Sequence, residues 1–320
     1  MKPEALSEGS ERMKQPGPAQ ARRQHRKRLG QLAFPLAALL LMLSLLPVGK
    51  QFWGWALERS GLSQPLGSRE LLELHFIDVG KADAILIRSQ GRSALLDAGY
   101  CMPDDLTGSY LRRFGVESLE YLIMSHPDKD HIGGMPQVLA DFSVNAFVRG
   151  PLPFEVLPDS EEYAALNKAL YGLPQITLEP GRSIRLGAAT LTALGPVEKY
   201  KDSNNASLVL RLECQGFAAL FCGDMEKKAE KDDKEALAEA SENVLKVAHH
   251  GSKTSTTAAF VSAVSPQLAV VSVGKDRNQL PREEPLRTLE EAGAQIYRTD
   301  TDGDVVLLFD GETIRIKTER

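Results

Sequence analysis

The residues best suited to chemistry lie in the stretch SHPDKDHIGG, residues 125–134, where His126, Asp128, Asp130 and His131 fall within six positions. In an extended or turning backbone, residues 126 and 128 project to one side, while 130 and 131 enter a following helix and point at a neighbouring spot. One loop can therefore serve two adjacent metal sites. Gly133 and Gly134 let that backbone pass close to its neighbours. A polar strand-to-helix turn needs one capping Asp and does not account for two histidines and two aspartates together. Imidazole combined with carboxylate suits zinc, manganese or iron rather than calcium.

Two further clusters each end an apolar run. In FAALFCGD, Asp224 stands where a carboxylate could bridge two metals, although Gly-Asp after a strand is also a common helix start. In VLKVAHHGSKTST, His249 and His250 could supply a ligand and an acid or base, or could form an ordinary polar turn. Three strand ends carrying His and Asp reinforce one another, because open α/β sheets place ligands at the carboxyl ends of strands.

Positioning these groups falls to short apolar runs that read as strands: LELHFIDV, AILIRS, SALLDAG, YLIMS, NAFVRG, ATLTAL, SLVLRLE, FAALFCGD, VLKVA, LAVVSVG, QIYRTD and VVLLFD. Helices are expected at Asp105 to Phe114, Gly134 to Phe142, Ser160 to Tyr171, Met225 to Ala240, Thr257 to Val264 and Glu283 to Ala292, most of them beginning near Ser, Thr, Asp or Glu. Early strands read as antiparallel hairpins and later ones alternate with helices. The expected architecture is two sheets with helices on their outer faces, in one α/β domain over 71–320. The lone His75 reads as a packed strand residue.

The chain of 320 residues has a net charge of -5, unevenly spread: residues 1–30 carry eight Lys/Arg against three Glu, and the remainder 30 against 40 acidic residues. An acidic body excludes nucleic-acid binding by a broad basic stripe, so contact with DNA would have to be local and metal-assisted. Cys101, Cys214 and Cys222 lack CxxC spacing and read as small buried hydrophobes.

Residues 1–28 read as a disordered basic tail and 50–70 as a linker. Between them, within 29–49, the run Leu29 to Val48 holds about 20 uncharged positions, the length of one membrane-spanning helix. The basic cluster Arg22 to Arg28 before it places the N-terminus in the cytoplasm and the body outside, as a single-pass protein of the cell membrane. A cleaved signal peptide is the competing reading, but no A-x-A-like site follows the run.

In order, FIDVGKADAILIR, SALLDAG, SHPDKDHIGG, NNASLVLRL, LFCGD, VLKVAHHGSKTST, LAVVSVG and YRTDTDG resemble the metallo-beta-lactamase fold, specifically the ComEC-type competence hydrolases of DNA uptake. The resemblance covers about Leu74 to Asp310. It implies a four-layer αββα sandwich with one or two divalent ions, zinc or manganese. By that resemblance the metal ligands are His126, Asp128, Asp130, His131, Asp224 and His250, with Asp224 bridging. Asp83 and Asp97 match acidic positions expected to support the site. The catalytic set is Asp130, orienting a water, with His249 or His250 protonating a leaving group. Leu280 and Arg282 stand where the family has histidines, Asn204 and Asn205 where the broader fold has another ligand, and Lys81 and Ala82 depart from VGQGD. These changes imply fewer ligands and an altered centre.

The reaction class that follows is metal-assisted hydrolysis, in which metal lowers the pKa of water from 15.7 toward ~7. Phosphodiester bonds, DNA included, are the leading substrate. A small ester, lactone or lactam is the enzyme alternative, and an inactive anchored binding domain the alternative of a different class. Protein partners are not legible.

Overall fold

The computed structural model describes residues 70–153, 156–237, 242–274 and 279–320. The expected tail, apolar run and linker up to residue 69 lie outside the described residues. Among the described residues, no helix is long and apolar enough to cross a membrane.

The elements in chain order are β1 (Leu72–Phe76), β2 (Ala84–Ser89), β3 (Arg92–Ala98), α1 (Leu106–Arg113), β4 (Ser118–Met124), α2 (Lys129–Ile132), α3 (Met135–Asp141), β5 (Ser143–Arg149), α4 (Glu161–Ala169) and β6 (Gln175–Thr177). There follow β7 (Ser183–Leu186), β8 (Ala189–Gly195), β9 (Val209–Cys214), β10 (Phe217–Phe221), α5 (Lys227–Asp232), α6 (Lys234–Leu237) and β11 (Val244–Lys246). A 3-10 turn (Ala248–Gly251), α7 (Ala258–Val264), β12 (Leu268–Val271), α8 (Glu283–Glu291), β13 (Gln295–Arg298), α9 (Thr299–Asp302), β14 (Val305–Phe309) and β15 (Ile314–Thr318) complete the fold.

The strands form two sheets, ordered β15-β14-β1-β2-β3-β4-β5-β6 and β13-β12-β11-β10-β9-β8-β7. Each sheet changes character part-way. The pairs from β15 to β3 are antiparallel and those from β3 to β6 parallel. In the other sheet β10 to β13 run parallel and β7 to β10 antiparallel. The parallel halves need helical crossovers, which cover their outer faces.

Strand periodicity explains the layering, because successive side chains point to opposite faces. Leu72, Leu74 and Phe76 of β1 join Ile85, Ile87, Leu210, Leu212, Phe217 and Phe221 in the core between the sheets. Leu86, Leu95, Leu119 and Leu122 face the other way, onto Leu111, Val138 and Leu166 of the helices. Val209, Leu220, Leu245 and Val271 do the same on the second sheet, against Phe260 and Leu289. The result is the expected αββα order of layers.

All twelve expected strands are present, together with three that were not expected: β6, β7 and β15, which are short or largely exposed edge strands with little apolar signal. Of the expected helix from Met225 to Ala240, residues 238–240 lie outside the described residues, and the rest is interrupted at Asp233, whose carboxylate accepts the Val197 N–H at 3.1 Å. The end of QIYRTD is a helical turn rather than strand, closed by Asp302 accepting from Arg298 N at 2.7 Å. Side-chain caps stand where expected, from Asp105 to Gly108 N, Ser160 to Tyr163 N and Thr257 to Phe260 N.

Candidate metal centre

The parallel strands deliver the chemistry. β4 ends at Met124, so Ser125 and His126 leave its carboxyl end and α2 carries Asp130 and His131. β10 ends at Phe221, and Cys222 and Gly223 turn the chain into Asp224. β11 ends at Lys246, and the 3-10 turn beyond it holds His249 and His250 at φ 50° and 52°. Two successive left-handed residues cost of order 1–3 kcal/mol each and persist only where the surroundings hold them. Here Arg282 N donates to Gly251 O at 2.8 Å, and the buried Glu230 carboxylate accepts from Thr256 N and from Thr257 N.

All the sequence-predicted ligands share one cleft. Asp224 Oδ1 lies 3.3 Å from His131 Nε2 and 3.6 Å from His250 Nε2, and Asp130 Oδ2 lies 3.5 Å from that same His250 nitrogen. A tetrahedral ion with bonds of about 2.0–2.2 Å spaces its donors about 3.3–3.6 Å apart. The other oxygen, Asp224 Oδ2, faces a second, looser set: His249 Nε2 at 3.7 Å and His126 Nε2 at 3.9 Å, with Asp128 Oδ2 3.8 Å from His126 Nε2. Asp224 is thus turned into the centre and caps no helix. Asp128, at the N-cap position of α2, makes no capping hydrogen bond either.

The hydrogen bonds behind the imidazoles set their tautomers. His250 Nδ1 lies 2.9 Å from Ser272 O, an acceptor only, so Nδ1 carries the proton and Nε2 presents a lone pair. His131 Nδ1 does the same toward Asp97 Oδ2 at 2.8 Å. Ser125 Oγ gives its one proton to Asp97 Oδ2 at 2.6 Å and so accepts from His126 Nδ1 at 3.1 Å. The Nε2 atoms of His126, His131 and His250, and Asp224 Oδ1, are buried without a hydrogen-bond partner. Buried polar atoms of this kind are costly unless something else satisfies them, and a divalent cation fits this donor set.

Electrostatics point the same way. Burial opposes charge on Asp224, yet His250 and His131 hold its pKa well below the usual carboxylate range. Burial likewise opposes charge on His131, but Asp224 and Asp97 on either side raise its pKa well above that of a free imidazole. The cleft favours a positive charge between those carboxylates, and a metal competes for that place with a proton.

Three contributors, Ser125, Ser272 and Lys246, escape a reading of motifs. Ser125 and Ser272 orient histidines as described. Lys246, 1% exposed, places Nζ 2.8 Å from Asp83 Oδ2, and Asp83 in turn lies 3.6 Å from His250 Nδ1 and 3.9 Å from His131 Nδ1. Lys81 contacts Asp130 Oδ2 through its ammonium. A lone lysine in the apolar run VLKVA was the signal for Lys246.

Other candidate positions lie elsewhere. Asn205 donates from Nδ2 to Asp202 Oδ1 at 2.8 Å and accepts from Ala229 N at 3.1 Å, so its amide is committed to the loop. Leu280 packs on the apolar cluster under the second sheet. His75 is buried between Tyr110 Oη at 2.9 Å and Glu73 Oε2 at 3.1 Å, a packed strand residue as expected. Cys214 and Cys222 are buried, but Cys101, in the loop after β3, is exposed and corrects the expectation of three core cysteines.

The family model described as the metallo-beta-lactamase superfamily matches residues 77–275. The chain belongs to the metallo-beta-lactamase superfamily. Members of this superfamily are generally metal-dependent hydrolases. Among curated proteins, the chain is 29% identical over 261 residues to ComE operon protein 3 of Bacillus subtilis (strain 168), covering 73% of this chain and 32% of that protein. It is 29% identical over 234 residues to Competence protein ComA of Neisseria gonorrhoeae, covering 71% and 30%. The chain thus spans about a third of the length of these relatives. Among solved structures it is similar in fold to CmlA, a diiron beta-hydroxylase from Streptomyces venezuelae, with a TM-score of 0.50 and 12% identity over 75% of this chain and 54% of that one.

Proposed function

We propose that this superfamily member hydrolyses phosphodiester bonds, DNA among them, at a divalent metal centre, zinc or manganese, on the outer side of the cell membrane. One observation carries the reading: both oxygens of Asp224 face the Nε2 atoms of imidazoles, Oδ1 those of His131 and His250 and Oδ2 those of His126 and His249. Asp130, His131, Asp224 and His250 would hold the ion, with His126, Asp128 and His249 lining the adjoining set. The ion supplies Lewis acidity, which lowers the pKa of water from 15.7 toward ~7.

The chain's own groups divide the remaining work. Asp130 orients the attacking water, its carboxyl kept ionised, against its burial, by His250 and His131. His250, wholly buried with Nδ1 committed to Ser272 O, acts as a ligand. His249, with a fifth of its side chain exposed and Nδ1 lying 3.1 Å from Thr254 Oγ1 and 3.3 Å from Glu226 Oε1, is the better group to protonate a leaving oxygen. The sequence named His250 a ligand and left open which of the two protonates the leaving group; on this reading it is His249.

Similarity to proteins named for competence supports a nucleic-acid substrate. The apolar run 29–49, with its basic flank, supports an anchored protein whose body lies outside. The test is to incubate the 320-residue chain, loaded with zinc or manganese, with single-stranded DNA, bis-p-nitrophenyl phosphate and a lactam. Turnover of the first two, abolished in Asp130→Ala and His250→Ala variants that still fold, is expected. Turnover of the lactam alone would move the assignment to small acyl substrates, and full activity in both variants would refute the roles.

A further inference from the structure

The loop between β3 and α1 walls a cavity that the proposed chemistry leaves unused. β3 and β4 run parallel, so this loop leaves the same sheet edge as the ligand loop after β4. The cavity has a volume of about 340 Å³, and its lining includes Tyr100, Cys101, Met102, Leu106, Gly134 and Gln137. One wall belongs to the ligand loop itself. Gly134 N donates to Gly99 O at 3.0 Å, and a Cβ on Gly133 would collide with Cys101 N. Asp83 ties the two loops again, since its carbonyl accepts from Gly99 N at 2.8 Å and its N–H donates to Asp130 O at 3.1 Å. The Tyr100 phenol is within electrostatic reach of the Lys81 ammonium, which contacts Asp130 Oδ2. The cavity therefore lies against the loop that carries Asp130 and His131.

Its chemistry is apolar. Two of the four large hydrophobic side chains left exposed among the described residues stand here, Met102 at 48% and Leu106 at 38%. Apolar surface gathered at a cavity beside a reactive centre marks a binding site. The polar members of the lining are already engaged. Thr107 Oγ1 donates to Ala98 O at 2.9 Å, Asp105 accepts from Gly108 N at 3.0 Å and pairs with Arg112 at 2.6 Å, and Gln137 bonds to Asp141. The Asp105 carboxylate also disfavours a phosphate in this space. An uncharged group with a flat apolar face suits it, packed on the Tyr100 ring and the Met102 thioether. The volume lies near the lower end of small-molecule pockets, roughly 300–1,000 Å³, which limits the guest to one such group. The acidic body adds a reason, because affinity for a nucleic acid cannot come from a broad basic stripe here and stacking supplies it locally.

The geometry points to a nucleobase subsite: the cavity walled by Tyr100, Met102 and Leu106 takes the base of a nucleotide whose phosphate lies at the metal centre. The inference rests on the phosphodiester reading and deepens it, because it makes the substrate a nucleotide chain rather than any phosphodiester. Tyr100 is the residue that stacks on the base, and stacking of this kind accepts every base, since each has a π-face.

Cys101 supplies a reporter that needs no turnover. It lines the cavity and is exposed, whereas Cys214 and Cys222 are buried, so alkylation by iodoacetamide reads this wall. The zinc-loaded 320-residue chain is alkylated with and without thymidine monophosphate, or the same sugar phosphate lacking the base. Neither compound has a phosphodiester bond to cleave, and calorimetry measures the binding of each. Thymidine monophosphate is expected to bind at least about tenfold more tightly, the scale of one base–aromatic stack. At saturation it slows alkylation of Cys101, and the base-free compound at saturation does not. Tyr100→Phe keeps the tenfold advantage and Tyr100→Leu loses it, with folding of both verified by circular dichroism. Equal affinity for the two compounds, protection of Cys101 without the base, or an advantage that survives Tyr100→Leu overturns the subsite. Binding of neither compound overturns the phosphodiester reading beneath it.

Discussion

Lys246 and Asp83 form an ion pair of 2.8 Å beneath His131 and His250, with both side chains almost wholly out of water. Removing one member of such a pair strands the other charge. Lys246→Met is expected to destabilise the fold by about 3–5 kcal/mol, and Lys246→Met with Asp83→Leu to recover much of that loss. Urea unfolding of the two variants checks it, and equal losses would show that the pair is not coupled.

Asp97 acts on the centre through His131 and Ser125. Asp97→Asn keeps the shape but weakens the acceptor that fixes the His131 tautomer, through its 2.8 Å contact. A fall of about 10–100-fold in zinc affinity is expected, the usual cost of losing a partner behind a ligand. Competition with a chromophoric chelator measures it.

Metal should also stabilise the fold, since the Nε2 atoms of His126, His131 and His250 and Asp224 Oδ1 are buried without a hydrogen-bond partner that a bound cation would supply. At free zinc about 100 times the dissociation constant, the gain is about 2.7 kcal/mol. Thermal melts with and without chelator report it, and identical melting temperatures would count against the centre.

Asp233 gives a pH dependence remote from the cleft. Burial, with Asp232 and Glu198 nearby, raises its carboxyl to about 6 despite the Val197 N–H that it accepts. Between about pH 4 and 6 the folded chain keeps a proton that the unfolded chain has released, so this group's contribution to stability falls as pH rises through that window and stays low above it. Asp233→Asn removes the effect and retains an acceptor for Val197. It should be more stable than the parent by about 1–2 kcal/mol at pH 7.5 and converge with it near pH 4. Unfolding series at both pH values decide the matter.

Gly134 tests the packing that sets the histidine loop. A Cβ there would lie 2.3 Å from Ala98 O, a backbone atom that cannot rotate away. Gly134→Ala is expected to cost about 1–3 kcal/mol and to weaken metal binding by shifting α2 against β3. Stability and zinc affinity measured together check the coupling.

Much of this was present in the chain before folding. The short apolar runs determined the strands, because a run of apolar residues is a local property, and most of these strands are buried along their whole length. The close spacing of His126, Asp128, Asp130 and His131 marked a candidate ligand loop for the same reason. The edge strands β6, β7 and β15 were not legible, since little of their surface is buried, and the break at Asp233 depends on a distant N–H of Val197. Tertiary structure alone decided which atoms meet. It turned the two oxygens of Asp224 toward different histidines, separated buried His250 from accessible His249, and set Lys246 and Lys81 against Asp83 and Asp130. Contacts of that kind join residues far apart in the chain, and no local pattern of residue types encodes the direction in which a side chain will find its charge partner.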